Sequence, residues 1–369
     1  MNYSQQLSAE MNALLVKEGY TTPTPIQEKS LPVLMEKRDL IGIAQTGTGK
    51  TAAFVIPIIE HTFLNNNKTQ TLVLCPTREL ALQTTEVFRK FSANKKIRTV
   101  SVYGGQSASI QIRALRSGAQ IVVGTPGRVK DLLSRNVLKL KNVRTIVLDE
   151  ADEMLDFGFL PDIKTILSSV TGEHQTMLFS ATMNREVAKV AEQFQRDPVR
   201  IEIGPRNEPT VMVMQSYLQT DESKKVSAVK NLLRQKQPRL ALVFCNTRRR
   251  VKRLASALTD EGVSTSCLHG EMSQNERDNI MRTFRSADCA VLVATDVAAR
   301  GLDVDKIDLV INYDVPDKPD YYVHRIGRTG RAGNTGKACT LICPAQKSWI
   351  LDIERRFRIR LTREAAMTL

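Results

Sequence analysis

Short apolar runs recur along this chain, and almost every one stops abruptly in a polar cluster before a stretch of helical spacing begins. Residues 40–43 give way to Ala44-Gln45-Thr46-Gly47, residues 71–75 to Pro76-Thr77-Arg78, and residues 100–103 to Gly104-Gly105. Residues 121–123 end in Gly124-Thr125-Pro126-Gly127-Arg128, residues 145–148 in Asp149-Glu150-Ala151-Asp152, and residues 176–179 in Ser180-Ala181-Thr182. Runs this apolar read as strands covered on both faces. Strand, polar tip and helix in repetition is the pattern of a mostly parallel sheet with helices on both sides. Ligands gather at the carboxyl ends of such strands, so the polar tips are expected to share one edge.

The pattern lapses around residues 203–215, where Gly204, Pro205, Asn207 and Pro209 break it. It then restarts in apolar runs at residues 240–244, 263–268, 290–293, 309–311 and 338–342. A chain of 369 residues also exceeds what one core usually covers. The expected fold is therefore α/β with two tandem domains, residues 1–204 and 216–369, joined by a linker at 205–215.

Two tips of the first half carry recognisable chemistry. The segment Ala44 to Thr51 fits the phosphate-loop pattern G-x-x-x-x-G-K-[ST], with Ala44 in place of the first glycine. Gly47 and Gly49 let backbone N–H groups, including those of Thr46 and Thr48, turn toward phosphates. Lys50 brings an ammonium to the β/γ oxygens, and the Thr51 hydroxyl can ligate Mg²⁺. A plain Gly/Thr turn ahead of a helix would not need Lys and Thr in these places. Ala44 is compatible with the loop only if its backbone keeps a negative φ. The other tip sets Asp149, Glu150 and Asp152 within four positions. One carboxylate would serve as a helix cap. Three repel one another unless a cation sits among them, and Mg²⁺ carrying a nucleotide is the usual occupant. Upstream, Tyr20 and Gln27 flank Pro23 and Pro25. A Gln amide both donates and accepts, as an adenine edge requires, and Tyr20 offers a stacking face; a proline-punctuated helix start accounts for the same residues.

Charge points to the class of partner. Lys and Arg number 53 against 39 Asp and Glu, a net +14, which favours a polyanion, although a solvated basic surface produces the same count. The six cysteines are dispersed in apolar runs and read as small buried hydrophobes of a reducing compartment, with no zinc pattern. No apolar run approaches a membrane span, and the first twenty residues lack the basic start and apolar core of a leader. A cytoplasmic setting without membrane attachment is expected.

The second half carries no second phosphate loop. It does carry Arg300-Gly301-Leu302-Asp303 and His324-Arg325-Ile326-Gly327-Arg328-Thr329-Gly330-Arg331. Guanidinium forks spaced by glycines match phosphoryl oxygens, and a solvated face is the plainer alternative. One half holds a nucleotide site without counter-charge and the other holds counter-charge without a nucleotide site, so a site completed by both halves is expected.

With these motifs in order from Tyr20 to Arg331, the chain resembles a DEAD-box RNA helicase of superfamily 2, Asp149-Glu150-Ala151-Asp152 being the eponymous acids. The resemblance implies two RecA-like domains, ATP and Mg²⁺ as cofactors, RNA-stimulated ATP hydrolysis and local separation of short duplexes. It implies adenine recognition by Tyr20 and Gln27, and phosphate and Mg²⁺ binding by Thr46, Gly47, Thr48, Gly49, Lys50 and Thr51. Asp149 would meet Mg²⁺ through water, and Glu150 would activate the attacking water. Asp152, Ser180, Thr182 and His324 would couple hydrolysis to closure. Gly301 and Asp303 would lie at the ribose, with Arg328 and Arg331 as arginine fingers. RNA contacts are implied at Pro76, Thr77, Arg78, Gly105, Thr125, Gly127 and Arg128, and at Thr247, Gln274, Arg277, Thr295 and Asp296. These are small, hydroxyl-bearing or charged residues at strand tips and helix starts, suited to gripping a backbone without reading bases.

The mechanism implied is an ATP-driven clamp: ATP and single-stranded RNA each span both domains, so each favours the other's binding. A monomer is expected, with ribonucleoprotein, RNA-decay or ribosome-assembly complexes as the class of protein partner. Two rivals stay open on sequence alone. A DNA helicase would use the same phosphate contacts, and a nucleotide-gated RNA clamp that rarely turns over would keep the same motifs.

Overall fold

The computed structural model describes residues 7–45, 47–204, 213–299, 304, 307–330 and 335–364, with the side chains of Gln274 and Asp320 outside that description. The chain divides into two compact units, Met1–Arg206 and Asn207–Leu369. Residues 205–212 of the expected linker lie outside the described residues, and residues 213–215 belong to a strand.

In the first unit the strands are β1 (Leu40–Ile43), β2 (Thr71–Leu74), β3 (Thr99–Val102), β4 (Ile121–Gly124), β5 (Thr145–Leu148), β6 (Gln175–Ser180) and β7 (Val199–Glu202). They form one sheet in the order β3-β4-β2-β5-β6-β1-β7, with every pairing parallel. Successive side chains on a strand point to opposite faces, so each run feeds two cores. Val73, Val147, Met177 and Phe179 pack with Phe54, Ile56 and Phe88 on one side. Leu72, Ile146, Leu148 and Leu178 pack with Val129, Leu132 and Ile163 on the other. Gly42 sits opposite Phe179 in register, and a Cβ there would lie 2.6 Å from that ring. The glycine leaves room for Phe179, whose centroid is 5.5 Å from that of Phe54.

The second unit contains β8 (Val213–Gln219), β9 (Ala241–Phe244), β10 (Thr265–Leu268), β11 (Val291–Ala294), β12 (Leu309–Asn312), β13 (Gly336–Ile342) and β14 (Thr362–Arg363). Its order, β10-β11-β9-β12-β13-β8-β14, repeats the first when β8 to β14 are laid on β1 to β7, again with every pairing parallel. Leu242, Phe244 and Val310 face one core, and Ala241, Val243 and Ile311 the other. The edge strands β7 and β14 have no apolar run in the sequence, because their outward positions are solvated.

Candidate active site and nucleic-acid interface

Parallel strands bring all their polar tips to one edge of each sheet. On the first sheet β1 is flanked by β6 and then β5, so the phosphate-loop tip, the Ser180 tip and the acidic tip are consecutive. The strands on either side of β6 are separated by about 10 Å at the usual spacing.

The loop after β1 is held in shape before any ligand arrives. Gly49 adopts φ +91°, and a Cβ there would come within 2.6 Å of Gln27 Nε2 and 2.8 Å of Thr24 Oγ1. Only glycine suits both demands. The Gln27 amide is buried; its Nε2 donates to the Gly49 carbonyl at 3.0 Å and its Oε1 accepts from the Thr24 N–H at 2.9 Å. The residue expected at the adenine edge is thus also a brace between the preceding helix, Pro25–Met35, and the loop. Tyr20 is half-buried with its ring edge-on to Phe91 at 5.0 Å and the Lys90 ammonium 5.7 Å from its centroid. Lys50 opens the helix Lys50–His61 and is buried, its Nζ donating to the Ala44 carbonyl at 2.6 Å. Ala44 keeps its backbone out of the left-handed region, the condition its methyl imposes. Thr48 Oγ1 donates to the Gln45 carbonyl at 2.7 Å, and Thr46 lies outside the described residues.

At the end of β5, Asp149 is 2% exposed, and burial pushes its carboxyl up to about 6 against the opposing pull of the Lys50 ammonium. Glu150 next to it stands at φ 51°, ψ 53°, a left-handed conformation rare for a residue with a side chain. Such a backbone costs on the order of 1–3 kcal/mol and is typically retained where it aims a functional group. Asp152 faces the neighbouring tip: its Oδ2 accepts from both the N–H and the hydroxyl of Thr182, each at 2.9 Å. Ser180 Oγ accepts from the Asp152 N–H at 3.3 Å and donates to the Thr182 carbonyl at 2.8 Å. The acidic tip and the tip of β6 are therefore one hydrogen-bonded body.

Beyond β5 the remaining tips belong to β2, β4 and β3. Thr77 caps the helix Arg78–Phe91 by accepting from the Leu80 N–H, and the Arg78 guanidinium lies over the Tyr103 ring at 4.5 Å. Arg128 Nη1 donates to Gln111 Oε1 at 2.9 Å, and Gln111 Nε2 donates to the Tyr103 carbonyl at 3.0 Å. Buried Gln111 thus ties the turn containing Gly105 to the helix that starts at Pro126, just after Thr125 and before Gly127.

In the second unit one side chain organises the tips. Arg325, 1% exposed, donates from Nε and Nη2 to the two oxygens of Asp296, each at 2.6 Å. It also donates to the Asp314 carbonyl at 2.7 Å and to Asn246 Oδ1 at 2.8 Å, with Phe244 under its plane at 5.2 Å. The tips of β9, β11 and β12 and the helix Pro319–Ile326 therefore meet at one guanidinium. Thr247 caps the helix Arg248–Asp260, Thr295 is buried, and Arg277 Nη2 donates to the Ala298 carbonyl at 3.3 Å. His324 is half-buried and Arg328 buried at the end of the same helical segment. Gly301, Asp303 and Arg331 lie outside the described residues, as does the side chain of Gln274.

The DEAD/DEAH box helicase pattern matches residues 24–190, and the helicase conserved C-terminal domain pattern matches residues 224–333. The chain is 45% identical over 363 residues to the DEAD-box ATP-dependent RNA helicase CshA of Geobacillus kaustophilus, covering 98% of this chain and 78% of that one. It belongs to the DEAD-box ATP-dependent RNA helicase family. The DEAD-box helicase CshA of Bacillus subtilis is 44% identical over 98% of this chain and 74% of its own. Among solved structures, Saccharomyces cerevisiae Dbp5 bound to RNA and ADP BeF3 matches with a TM-score of 0.88 and 31% identity, covering 98% of this chain and 95% of that one. The two parallel sheets with helices are the tandem RecA-like domains of such DEAD-box structures.

On this DEAD-box chain the structure gathers Gly49, Lys50, Asp149, Asp152, Ser180 and Thr182 at neighbouring tips of the first sheet, with Gln27 reaching Gly49 from the helix Pro25–Met35. Sequence reasoning gave no role to Gln111 or Arg325. Nothing local marks either one: a Gln within a helix and one Arg among several acquire partners only when distant tips converge. No described helix is long and apolar enough to cross a membrane, and all six cysteines are free, four of them buried.

Proposed function

We propose that this chain is an ATP-dependent RNA helicase that uses RNA-stimulated ATP hydrolysis to clamp single-stranded RNA and separate short duplexes locally. One observation carries the reading. On the first sheet the phosphate-loop tip, the Ser180 tip and the acidic tip are contiguous, the last two tied by the Asp152–Thr182 bonds, and the acidic tip borders the three tips with backbone-gripping chemistry. In support, the relatives are named ATP-dependent RNA helicases, and the Dbp5 structure contains RNA and ADP BeF3.

In this reading Tyr20 and Gln27 take the adenine, and Thr46, Gly47, Thr48, Gly49 and Lys50 take the phosphates. Lys50 exchanges the Ala44 carbonyl for phosphate oxygens as they arrive. Thr51 and Asp149 would hold Mg²⁺, which when bound supplies positive charge across the β/γ oxygens. The donor set fits that ion. Asp149 is a buried carboxylate within electrostatic reach of Lys50, and the Thr51 hydroxyl follows Lys50 in the chain, so oxygen donors of the kind Mg²⁺ takes stand at the phosphate loop. Glu150 accepts the proton of the water attacking the γ-phosphate. Gly301 and Asp303 meet the ribose, and Arg328 and Arg331 neutralise the charge that develops during transfer, when both units engage one nucleotide. Asp152, Ser180, Thr182 and His324 couple hydrolysis to that engagement. RNA phosphates are gripped at Pro76, Thr77, Arg78, Gly105, Thr125, Gly127, Arg128, Thr247, Gln274, Arg277 and Thr295, with Asp296 acting through the Arg325 it holds. The enzyme works as a monomer in the cytoplasm, a reducing compartment that suits six free cysteines.

Glu150→Gln is the direct test. It should retain ATP and RNA binding while RNA-stimulated turnover falls by ~10²–10⁴, the usual share of a general base. Wild-type turnover in that variant would remove Glu150 from the chemistry. Stimulation by RNA should exceed that by DNA of the same sequence because of 2′-hydroxyl contacts.

A further inference from the structure

The helix Arg248–Asp260 begins with a basic run that its own fold does not call for. Arg248, Arg249, Arg250, Lys252 and Arg253 fall in its first two turns, and its first turn holds no acid. Cations at a helix N-terminus oppose the helix dipole, and like charges at i,i+3 and i,i+4 repel. The inner face of the helix, Val251, Leu254, Ala255 and Leu258, supplies its burial without any of the five.

Three of the five have local partners. Arg250 pairs with Asp314 at 2.8 Å and with Glu222, and Arg248 pairs with Glu271, which also lies 4.0 Å from Lys252. Arg249 and Arg253 are exposed and form no salt bridge among the described residues. With Lys252 and Ser256 they line one outward face over about 10 Å of helix, from Arg249 to Ser256. Thr247 caps this same helix and is one of the residues proposed to hold RNA, so the face continues directly from the strand tips.

We propose that Arg249, Lys252 and Arg253 extend the RNA track past the strand tips, gripping phosphates of the strand that flanks the segment held at Thr247 and Thr295. The proposal rests on the RNA reading above and deepens it: the substrate is a strand longer than the tips alone cover, held there without regard to base. Unpaired guanidinium groups facing solvent suit phosphate oxygens, and the local repulsion they create is relieved when a polyanion lies across them.

The test uses the full chain with Arg249→Gln and Arg253→Gln together. Affinity is measured by fluorescence anisotropy over a range of salt, with one RNA just long enough for the strand tips and one several nucleotides longer. The wild type should bind the longer RNA more tightly, and the variant should lose that advantage. Its log affinity against log salt for the longer RNA should flatten by about 1.4, the share of two phosphates on a single strand. The Arg249→Lys, Arg253→Lys pair should restore the slope, which separates charge from misfolding. Relief of repulsion should leave the variant's melting temperature equal to or above that of the wild type.

Equal slopes for wild type and double Gln variant would overturn the proposal. So would unchanged RNA binding with loss of binding to polyglutamate, which would assign the face to an acidic protein. ATP hydrolysis by the wild type is measured with the short RNA alongside. Absence of stimulation there would remove the RNA reading itself, whereas stimulation with equal slopes removes only the extended track.

Discussion

Asp149 answers to two opposed demands. Its place at the end of a strand buried on both faces makes ionisation costly, and its carboxyl moves from the ordinary 3.8 to about 6. A carboxyl whose folded pKa lies above its unfolded one favours folding when protonated. Stability from this group is therefore present below pH 3.8 and is lost as pH rises through about 6. Asp149→Asn should raise the melting temperature of the nucleotide-free protein at neutral pH, by the equivalent of ~1–3 kcal/mol, and flatten its pH dependence across that window. Thermal denaturation at several pH values checks this, and destabilisation by Asn at neutral pH would contradict it. Turnover should be lost in the same variant, because the charge that is costly to bury is, in the reading proposed above, the one that Mg²⁺ would require. Glu150, in its left-handed backbone, shows the same conflict between fold and chemistry.

At the scale of elements, the two sheets can be compared strand for strand. Lys50 is the first residue of the helix after β1, and Asp149 follows β5. In the second sheet Lys225 is the first residue of the helix Lys225–Lys236 after β8, and Asp314 stands at the tip of β12, the strand equivalent to β5. Both lysines are buried. Lys225 lies 3.7 Å from Asp314 and 3.0 Å from Glu222, so protein carboxylates occupy its ammonium where no glycine loop is available to present phosphate. The second unit thus has a lysine and aspartate in equivalent places that pair with each other. Lys225→Met should destabilise the protein by about 3 kcal/mol, the lower end for a broken buried pair, since Arg250 still reaches Asp314. Denaturant unfolding checks the size. Combining it with Asp314→Asn should cost less than the sum of the two single changes, and strict additivity would show that the pair is not coupled.

At the scale of the whole molecule, each unit has its own sheet and two cores, one on either face. Each is equipped to unfold as a separate cooperative body. Calorimetry should resolve two transitions. ATP should raise the one belonging to the first unit, by ~2.7 kcal/mol at a hundredfold excess over Kd, while Lys225→Met lowers the other. If ATP moves both transitions equally and Lys225→Met does too, the units do not unfold as separate bodies. The division also explains why charge is spread as it is. Asp149, proposed above to hold the metal, belongs to the first unit, while Arg325 and Arg328 belong to the second.

The fold class and the chemistry of the tips were legible in residue order alone. Runs of four or five Val, Ile and Leu residues that stop in turn formers and alternate with helical spacing read as strands covered on both faces, and a lysine and threonine after a glycine turn at the end of such a strand have one common use. Gly42 was not legible in this way, because the ring it makes room for lies on a strand far along the chain. Gln27 was legible as part of a proline-punctuated helix start and as a candidate for an adenine edge, but not as the brace of Gly49, which depends on a helix packing beside the loop. Arg325 was legible only as one basic residue among several; its four acceptor atoms come from three tips that lie 11, 29 and 79 residues away in the chain. The order in which strands lie side by side was decided by the tertiary structure. Backbone hydrogen bonds make any parallel neighbour acceptable, and only the packing of helices on both faces selects β6 to stand between β1 and β5 and so puts Thr182 against Asp152.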